Sequence, residues 1–463
     1  MSVTPPRSIQ AYCEISLPSS GNQQQNELLL LQALLDRGIF AHDQFFLYQN
    51  GREIRIVGDP CAKITVEEEA VSLWLRSTEQ TRHEEIRLDP FKQVERLLMD
   101  VPVSSPTAYG YVAFDMMRHY FEYGTAKALV SPLLCFIVPS IEIHLTAHGI
   151  YLRSLDEHVI QDITHAWEYA TQCAVPPAPH PTTLEISMED RTWYEQSVRA
   201  LTEAIRSDAS YGGPFQKAIL SRAVNVPGPL DLLGTYALVQ GDPSARSYCF
   251  RLGTNAAVGS SPEILLKADA AGSIRTHPLA GTRWRGNTSQ EDAELRNQLH
   301  TSRKQQIEHL ISVVAAQREM EAVCQDETVF IHGLAHVQQY RTVQHLASRL
   351  YGRLAPNKSV WDALRAVFPG VTVSGISKAS AISWIDRLEQ VSRGLYAGAI
   401  GWINSDGSAD LAIAIRTIFQ RDSLVSFYAG AGIVADSDPA DEYEETWHKM
   451  QAMWPYFVRS KSR

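Results

Sequence analysis

The stretch YAGAIGWINSDGSADLAIAIRTIFQRDSLVSFYAGAGIV, residues 396–434, decides the fold class. Apolar runs are separated there by Ser405-Asp406-Gly407 and by Arg421-Asp422-Ser423. Turns that short join antiparallel neighbours, because a parallel return needs a longer crossover. The segment therefore reads as a three-stranded meander. In its middle run Leu411, Ile413, Ile415 and Phe419 fall on one face, and Ala412, Ala414, Arg416 and Ile418 on the other. The second face is small apart from Arg416 and Ile418. That leaves room for a ligand, and an arginine in such a place pairs bidentately with a carboxylate, with a structural ion pair as the alternative.

The same pattern continues outward. EILLKADAAGSIRTHPLAGTR (263–283) reads as a hairpin turning near Ala271-Gly272, and helical stretches at 302–322 and 441–454 flank the strands. The sum is an α+β protein with a large antiparallel sheet covered by helices. CAVPPAPHPTT (173–183) reads as a linker between residues 1–180 and 190–460. After it, Tyr194, Val198, Leu201 and Ile205 follow helical spacing and lead into PFQKAILSR (214–222). Alternation in that strand puts Phe215, Lys217 and Ile219 on one face. An ammonium is costly to bury uncompensated. Either its stem snorkels, or a partner sits inside, or Lys217 is there to lose its proton.

Composition narrows the function classes. The chain has 463 residues, 44% apolar and 20% charged, with formal net charge −10. That balance gives no electrostatic case for nucleic acid or an anionic membrane as partner. No apolar run approaches the ~20 residues of a membrane span, and the start lacks the pattern of a signal peptide. Six scattered cysteines without a CxxC pair favour reduced thiols, hence a cytoplasmic protein. No phosphate-binding GxxxxGK[ST], no strand-GxGxxG-helix unit and no GxSxG element is present, which disfavours nucleotide binding and serine-hydrolase chemistry.

Several polar groups stand out against this background. On 304–316, Ile307, Leu310, Ile311 and Val314 read as the apolar stripe, while Gln305 and Glu308 share another face. On 441–454, Glu442, Glu445 and Lys449 line up at i, i+3 and i+7. These are either two solvated faces or two facing helices that hold a hard cation such as Mg²⁺. PLAGTR (278–283) and YAGAGIV (428–434) bring Gly281, Gly430 and Gly432, whose N–H groups with the Thr282 hydroxyl suit an anion. Glu263, in GSSPEILL, sits beside a sheet interior, where a carboxyl gains a raised pKa and can act as a general acid. Tyr396 adds a hydroxyl to the meander. His332 and His336 lie in a strand-like run and do not read as a metal pair, and His345 reads by default as a core histidine.

In order along the chain, KAILSR, SSPE, PLAGTR, EHLISVV, VQHLAS, TVSGISK, RGLYAGAIG, AIRTIF, AGAGIV and DEYEETWHKM resemble the chorismate-utilising enzymes. The resemblance covers roughly residues 190–460; in that family the N-terminal part completes the same α/β sandwich, so the two parts form one structural domain. Water-using members carry a lysine where this chain has Lys217, and ammonia-using anthranilate synthases lack it. Aminodeoxychorismate synthases resemble P-I-K-G-T, with a lysine where this chain has Ala280. Water addition to give isochorismate is therefore implied. VQHLAS, T-x-S-G-I-x-K and RGLYAGA look most like the siderophore-pathway salicylate synthases, which go on to eliminate pyruvate. An enzyme that stops at isochorismate, and a weakly active paralogue that only binds chorismate-like ligands, are the alternatives.

The resemblance also implies roles. Lys217 is the base that activates water, and Glu263 the acid. Mg²⁺ is held by Glu308 and Glu445, with Glu442 and the Gln305 position in support. Gly281, Thr282 and Gly430 meet the ring carboxylate; Tyr396, Arg416 and Gly432 meet the enolpyruvyl carboxylate. His345 and Thr372 line the ring, and Lys449 lies near substrate and metal. No glutamine amidotransferase partner is expected, and a monomer is. The family usually has an acid at Gln305, and its G-I-P-K is here GISK with Ser377.

Overall fold

Two long strands, Glu53–Val66 and Leu134–Thr146, pair antiparallel along most of their length. At Asp59 the backbone is left-handed (φ 52°), and the register shifts between Pro60 and Ala62. Such a bulge bends the strand that carries it. The two halves of each strand consequently pair with different neighbours. Ile54–Gly58 lies against Phe45–Gln49, and Ala62–Val66 against Val71–Leu75. The computed structural model describes residues 10–17, 23–87, 89–121, 127, 132–173, 179–183, 190–242, 244–341 and 343–460.

Among them, 21 strands form one continuous network of antiparallel pairs. Strands from either side of the proline-rich stretch pair directly. Gln44–Asn50 lies against Arg246–Leu252, and Thr107–Val112 against Ala399–Asn404. Residues 174–178 of the expected linker lie outside the described residues. The network folds over itself, so one apolar core gathers Phe46, Tyr48, Tyr248 and Phe250 with Leu265, Ile400 and Leu411. A second core lies where Leu31, Leu34, Ile163 and Trp167 of two N-terminal helices cover Ile54, Ile56 and Ile143. The helix Arg191–Ser210 buries Tyr194, Val198, Leu201 and Ile205 against Leu220 and Ala431, as its spacing predicts.

Two expectations fail locally. The expected three-stranded meander is four strands: Ala399–Asn404, Ala409–Ile413, Thr417–Arg421 and Leu424–Ile433. The middle run breaks because Arg416 is left-handed (φ 54°). Before the break the chain pairs with Ile264–Ala268, and after it with Asn255–Gly259. The strict alternation across 411–419 is therefore reset. On the helix Arg303–Glu321 the expected stripe points the wrong way. Ile307, Leu310 and Val314 are exposed, and the buried face is His309, Ser312, Val313, Ala316 and Met320. Its two polar members have partners: His309 Nε2 lies 2.7 Å from Ser348 Oγ, and the Ser312 hydroxyl donates to Glu308 O at 2.9 Å.

One buried carboxyl sets a stability prediction. Glu27, on the helix Gln23–Asp36, is fully buried, and neither carboxylate oxygen has a hydrogen-bond partner among the described residues. Burial raises its pKa to about 7. A carboxyl whose folded pKa exceeds its unfolded value leaves the fold unpenalised below the unfolded pKa and costs stability as pH rises towards the folded one. The cost reaches about 3 kcal/mol by pH 8. Glu27→Gln should remove that slope, so thermal unfolding at pH 5 and pH 8 should show the wild type losing more stability than the variant. Parallel losses would contradict this.

Candidate active site

A cavity opens between the strands Lys217–Pro227, Leu279–Trp284 and Leu424–Ile433 and the two acidic helices, Arg303–Glu321 and Pro439–Gln451. Its wall holds Lys217, Glu263, Gly281, Thr282, Gln305, Glu308, His345, Thr372, Tyr396, Arg416, Gly430, Gly432, Glu445 and Lys449. Of the site residues predicted from sequence, Glu442 alone stands outside that wall. It lies one turn from Glu445, close enough that the charges of Glu445 and Glu308 act on it.

Lys217 does not snorkel. Its side chain is 1% exposed, and Nζ lies 2.9 Å from Glu308 Oε1 and 3.5 Å from Ser312 Oγ. The partner anticipated for a buried ammonium is thus a carboxylate from the first acidic helix. The backbone makes room for the pair at Gly432, where a Cβ would sit 2.8 Å from Glu308 Oε1 and 2.9 Å from Lys217 Cε.

Glu263 is buried beside a register shift in its strand pairing. The Thr372 hydroxyl donates to its Oε1 at 2.6 Å, and the Leu279 N–H donates to the same oxygen at 3.0 Å. Burial raises the carboxyl to about 7, although both hydrogen bonds and the Lys217 charge pull it down. With both donors on Oε1, Oε2 is the oxygen suited to carry a proton. Thr372 is thereby a support for Glu263.

The acidic helices converge as expected, with lysines between them. Lys449 Nζ lies 2.6 Å from Glu445 Oε1 and donates to Gly430 O at 2.8 Å. Lys304 Nζ lies 3.7 Å from Glu442 Oε1. Burial, then the neighbouring Glu445 charge, raises Glu442 to about 7. Burial pushes Glu445 up, but the Lys449 charge and hydrogen bond together with the Lys304 and Lys217 charges make the net shift downward. Gln305 Oε1 is buried without a hydrogen-bond partner among the described residues. It lies 2.8 Å from where a Cβ on Gly281 would be, and Gly281 is left-handed (φ 77°), so only glycine suits that position. Among the described residues no three His, Cys, Asp or Glu side chains are gathered into a ligating cluster as they stand. Carboxylates balanced by lysines, with an orphaned amide oxygen beside them, nevertheless form an oxygen-only donor set of the kind a hard cation takes.

The cavity wall also holds an arginine. The Arg416 guanidinium has no hydrogen bond or ion pair among the described residues, and burial lowers its pKa. A desolvated, unpaired guanidinium is a ready receptor for a carboxylate. Tyr396, stacked on Tyr428 at 5.1 Å between centroids, lines the same wall. Burial and then Arg416 lower His345 to about 3, so its imidazole is neutral. Its Nδ1 lies 2.9 Å from Thr282 Oγ1 and 3.3 Å from Gly281 O.

Sequence reasoning missed four contributors. Ser312 lies one helical turn past Glu308, a spacing that could have flagged it. The Leu279 N–H carries no side-chain signal. Tyr428 opens YAGAGIV, a stretch read for its glycines, and Met453 carries no motif; both line the wall.

The antiparallel α+β fold thus encloses a cavity whose wall carries Glu263, Glu308 and Glu445 together with Lys217, Lys449 and Arg416. The family model described as chorismate binding enzyme matches residues 43–455. The chain belongs to that family, the chorismate-utilising enzymes, and chorismate is the substrate the family implies. It is 30% identical over 423 residues to the salicylate synthase of Mycolicibacterium paratuberculosis, covering 90% of each chain. It is 40% identical over 261 residues to anthranilate synthase component 1 of Saccharolobus solfataricus, covering 56% of this chain and 61% of that one. The anthranilate synthase component I structure from Streptococcus pneumoniae aligns with TM-score 0.73 at 25% identity, over 87% of this chain and 92% of that one. The menaquinone-specific isochorismate synthase of Escherichia coli shares the fold, with TM-score 0.71 at 22% identity over 97% and 95% of the two chains. Among the described residues no helix is long and apolar enough to cross a membrane.

Proposed function

We propose that the chain is a salicylate synthase, converting chorismate through isochorismate to salicylate and pyruvate for a siderophore or related pathway. The observation that carries this reading is Lys217, buried in the wall of the cavity that Glu263 also lines. Water-using relatives place a lysine there. A salicylate synthase relative matched over nine-tenths of both chains supports the same choice.

In this reading Lys217 accepts a proton from the water that attacks C2 of chorismate. Glu263, protonated, donates to the hydroxyl leaving C4. One water enters and one leaves, so the first step is an isomerisation. Arg416, Tyr396 and the Gly432 amide hold the enolpyruvyl carboxylate, while Gly281, Thr282 and Gly430 hold that of the ring, beside Lys449. The second step moves hydrogen from C2 to the side-chain methylene as the ether bond breaks, releasing pyruvate and an aromatic ring. For it the protein supplies mainly conformation, with neutral His345 and Thr372 beside the ring.

Glu308 and Glu445 would hold Mg²⁺, with Glu442 and Gln305 around it. A cation held there would supply positive charge to offset that of the ring carboxylate. Because Gln305 replaces an acid with a neutral amide, Gln305→Glu should lower the Mg²⁺ concentration for half-activity by about tenfold, the equivalent of ~1.4 kcal/mol. Calorimetric Mg²⁺ titration of both proteins checks it, and equal affinities contradict it.

Reaction in ¹⁸O-water tests the proposal. The C2 oxygen comes from water, so the salicylate hydroxyl should carry the label. An unlabelled hydroxyl would contradict water addition.

A further inference from the structure

The strand that carries Lys217 has an unusual second edge. One edge pairs with Leu424–Ile433 from Ala218 to Pro227, but the other pairs only with Gly375 and Ile376, opposite Ala218 and Lys217, and adds one backbone bond from the Ile219 N–H to Ser374 O at 2.9 Å. Beyond them, buried polar backbone still needs partners. Side chains supply them. Arg393 Nη2 donates to Ile219 O at 2.6 Å. Glu389 Oε1 accepts from the Ser221 N–H at 2.7 Å and from its hydroxyl at 2.8 Å.

We propose that Arg393, joined to Glu389, is a positioning residue that fixes the strand of Lys217 against the loop of Thr372. The pair is buried, with Arg393 at 2% exposure and Nε and Nη2 at 2.9 and 2.6 Å from the two Glu389 oxygens. Arg393 Nη1 also donates to Val373 O at 2.7 Å. Val373 follows Thr372, whose hydroxyl holds Glu263. The guanidinium lies 5.7 Å from the centre of the Tyr396 ring. One planar cation thus spans three parts of the cavity wall: the strand of Lys217, the support of Glu263, and Tyr396. A lysine has neither the fork nor the number of directed donors to make these contacts together.

This inference rests on the reading of Lys217 and Glu263 as base and acid. Its test is Arg393→Lys, with kcat, KM and the pH profile measured separately on the folded fraction. A misplacement of reacting groups by about 1 Å costs roughly 10²-fold in rate. The expected result is a kcat lower by about 10²-fold with KM for chorismate changed less than about threefold, the pattern of a loss confined to the transition state. The fall in activity near pH 7 should also move upward, because a loosened Thr372 bond stabilises ionised Glu263 less. A lowered melting temperature with unchanged kcat and pH profile overturns the proposal. Should Arg393→Lys fail to fold, Ser221→Ala serves, since it keeps both charges and removes one donor to Glu389. A several-fold drop in kcat at constant KM is then expected, and an unchanged kcat overturns the proposal. Lys217→Gln and Glu263→Gln run in parallel separate the two levels. If they retain turnover the base-and-acid reading fails; if they lose it while Arg393→Lys does not, only the positioning role fails.

Discussion

Lys217→Gln should abolish conversion of chorismate to isochorismate, lowering the rate by about 10²–10⁴-fold, the usual contribution of a positioned proton acceptor. Glutamine matches the lysine stem closely enough to fill the space between Phe215 and Ile219. It can donate a hydrogen bond to Glu308, whose Oε1 is 2.9 Å from Nζ in the native chain. It cannot take a proton from water. The second step makes no such demand, so the variant supplied with isochorismate should still form salicylate and pyruvate. Assay of the two half-reactions separates these outcomes. Near-normal isochorismate formation would reduce Lys217 to a structural partner of Glu308.

Glu263→Gln should cost a similar factor, about 10²–10⁴-fold, through loss of the proton given to the leaving hydroxyl. The amide can keep its oxygen under the Thr372 hydroxyl and the Leu279 N–H, which both bond Oε1 in the native carboxyl. Its NH₂ then occupies the place of the proton-bearing oxygen without being able to release a proton. The pH dependence gives the sign. Glu263 acts in its protonated form, and burial raises its pKa to about 7. Wild-type kcat/KM should therefore fall as pH rises through about 7. The variant, with no such group, should lack that limb. A wild-type profile that is flat from pH 6 to 8, or a variant that keeps the limb, contradicts the assignment.

The residues that were legible in the sequence are those whose chemistry is local. Lys217 betrayed itself as a charge among apolar neighbours, and Glu263 as a carboxyl at a strand start. The antiparallel class followed from turns such as Ser405-Asp406-Gly407, because a tight turn allows little else. Less legible was whatever depends on a partner distant in sequence. Ile307, Leu310 and Val314 looked like a core stripe. The inward face is instead taken by His309 and Ser312, whose polarity is satisfied by Ser348 and the Glu308 carbonyl. The break at Arg416 was invisible, because nothing in LAIAIRTIF signals a left-handed backbone at an arginine. Glu389 and Arg393 are four apart, like many exposed helix pairs. Their bonds to Ile219 O, Val373 O and Ser221 exist only once the sheet has assembled.

The most direct test of the central claim is product analysis after incubation with chorismate and Mg²⁺, without ammonium or glutamine. Salicylate and pyruvate in equal amounts are predicted. Isochorismate accumulating alone, or an aromatic amine formed only when ammonium is added, would contradict the assignment.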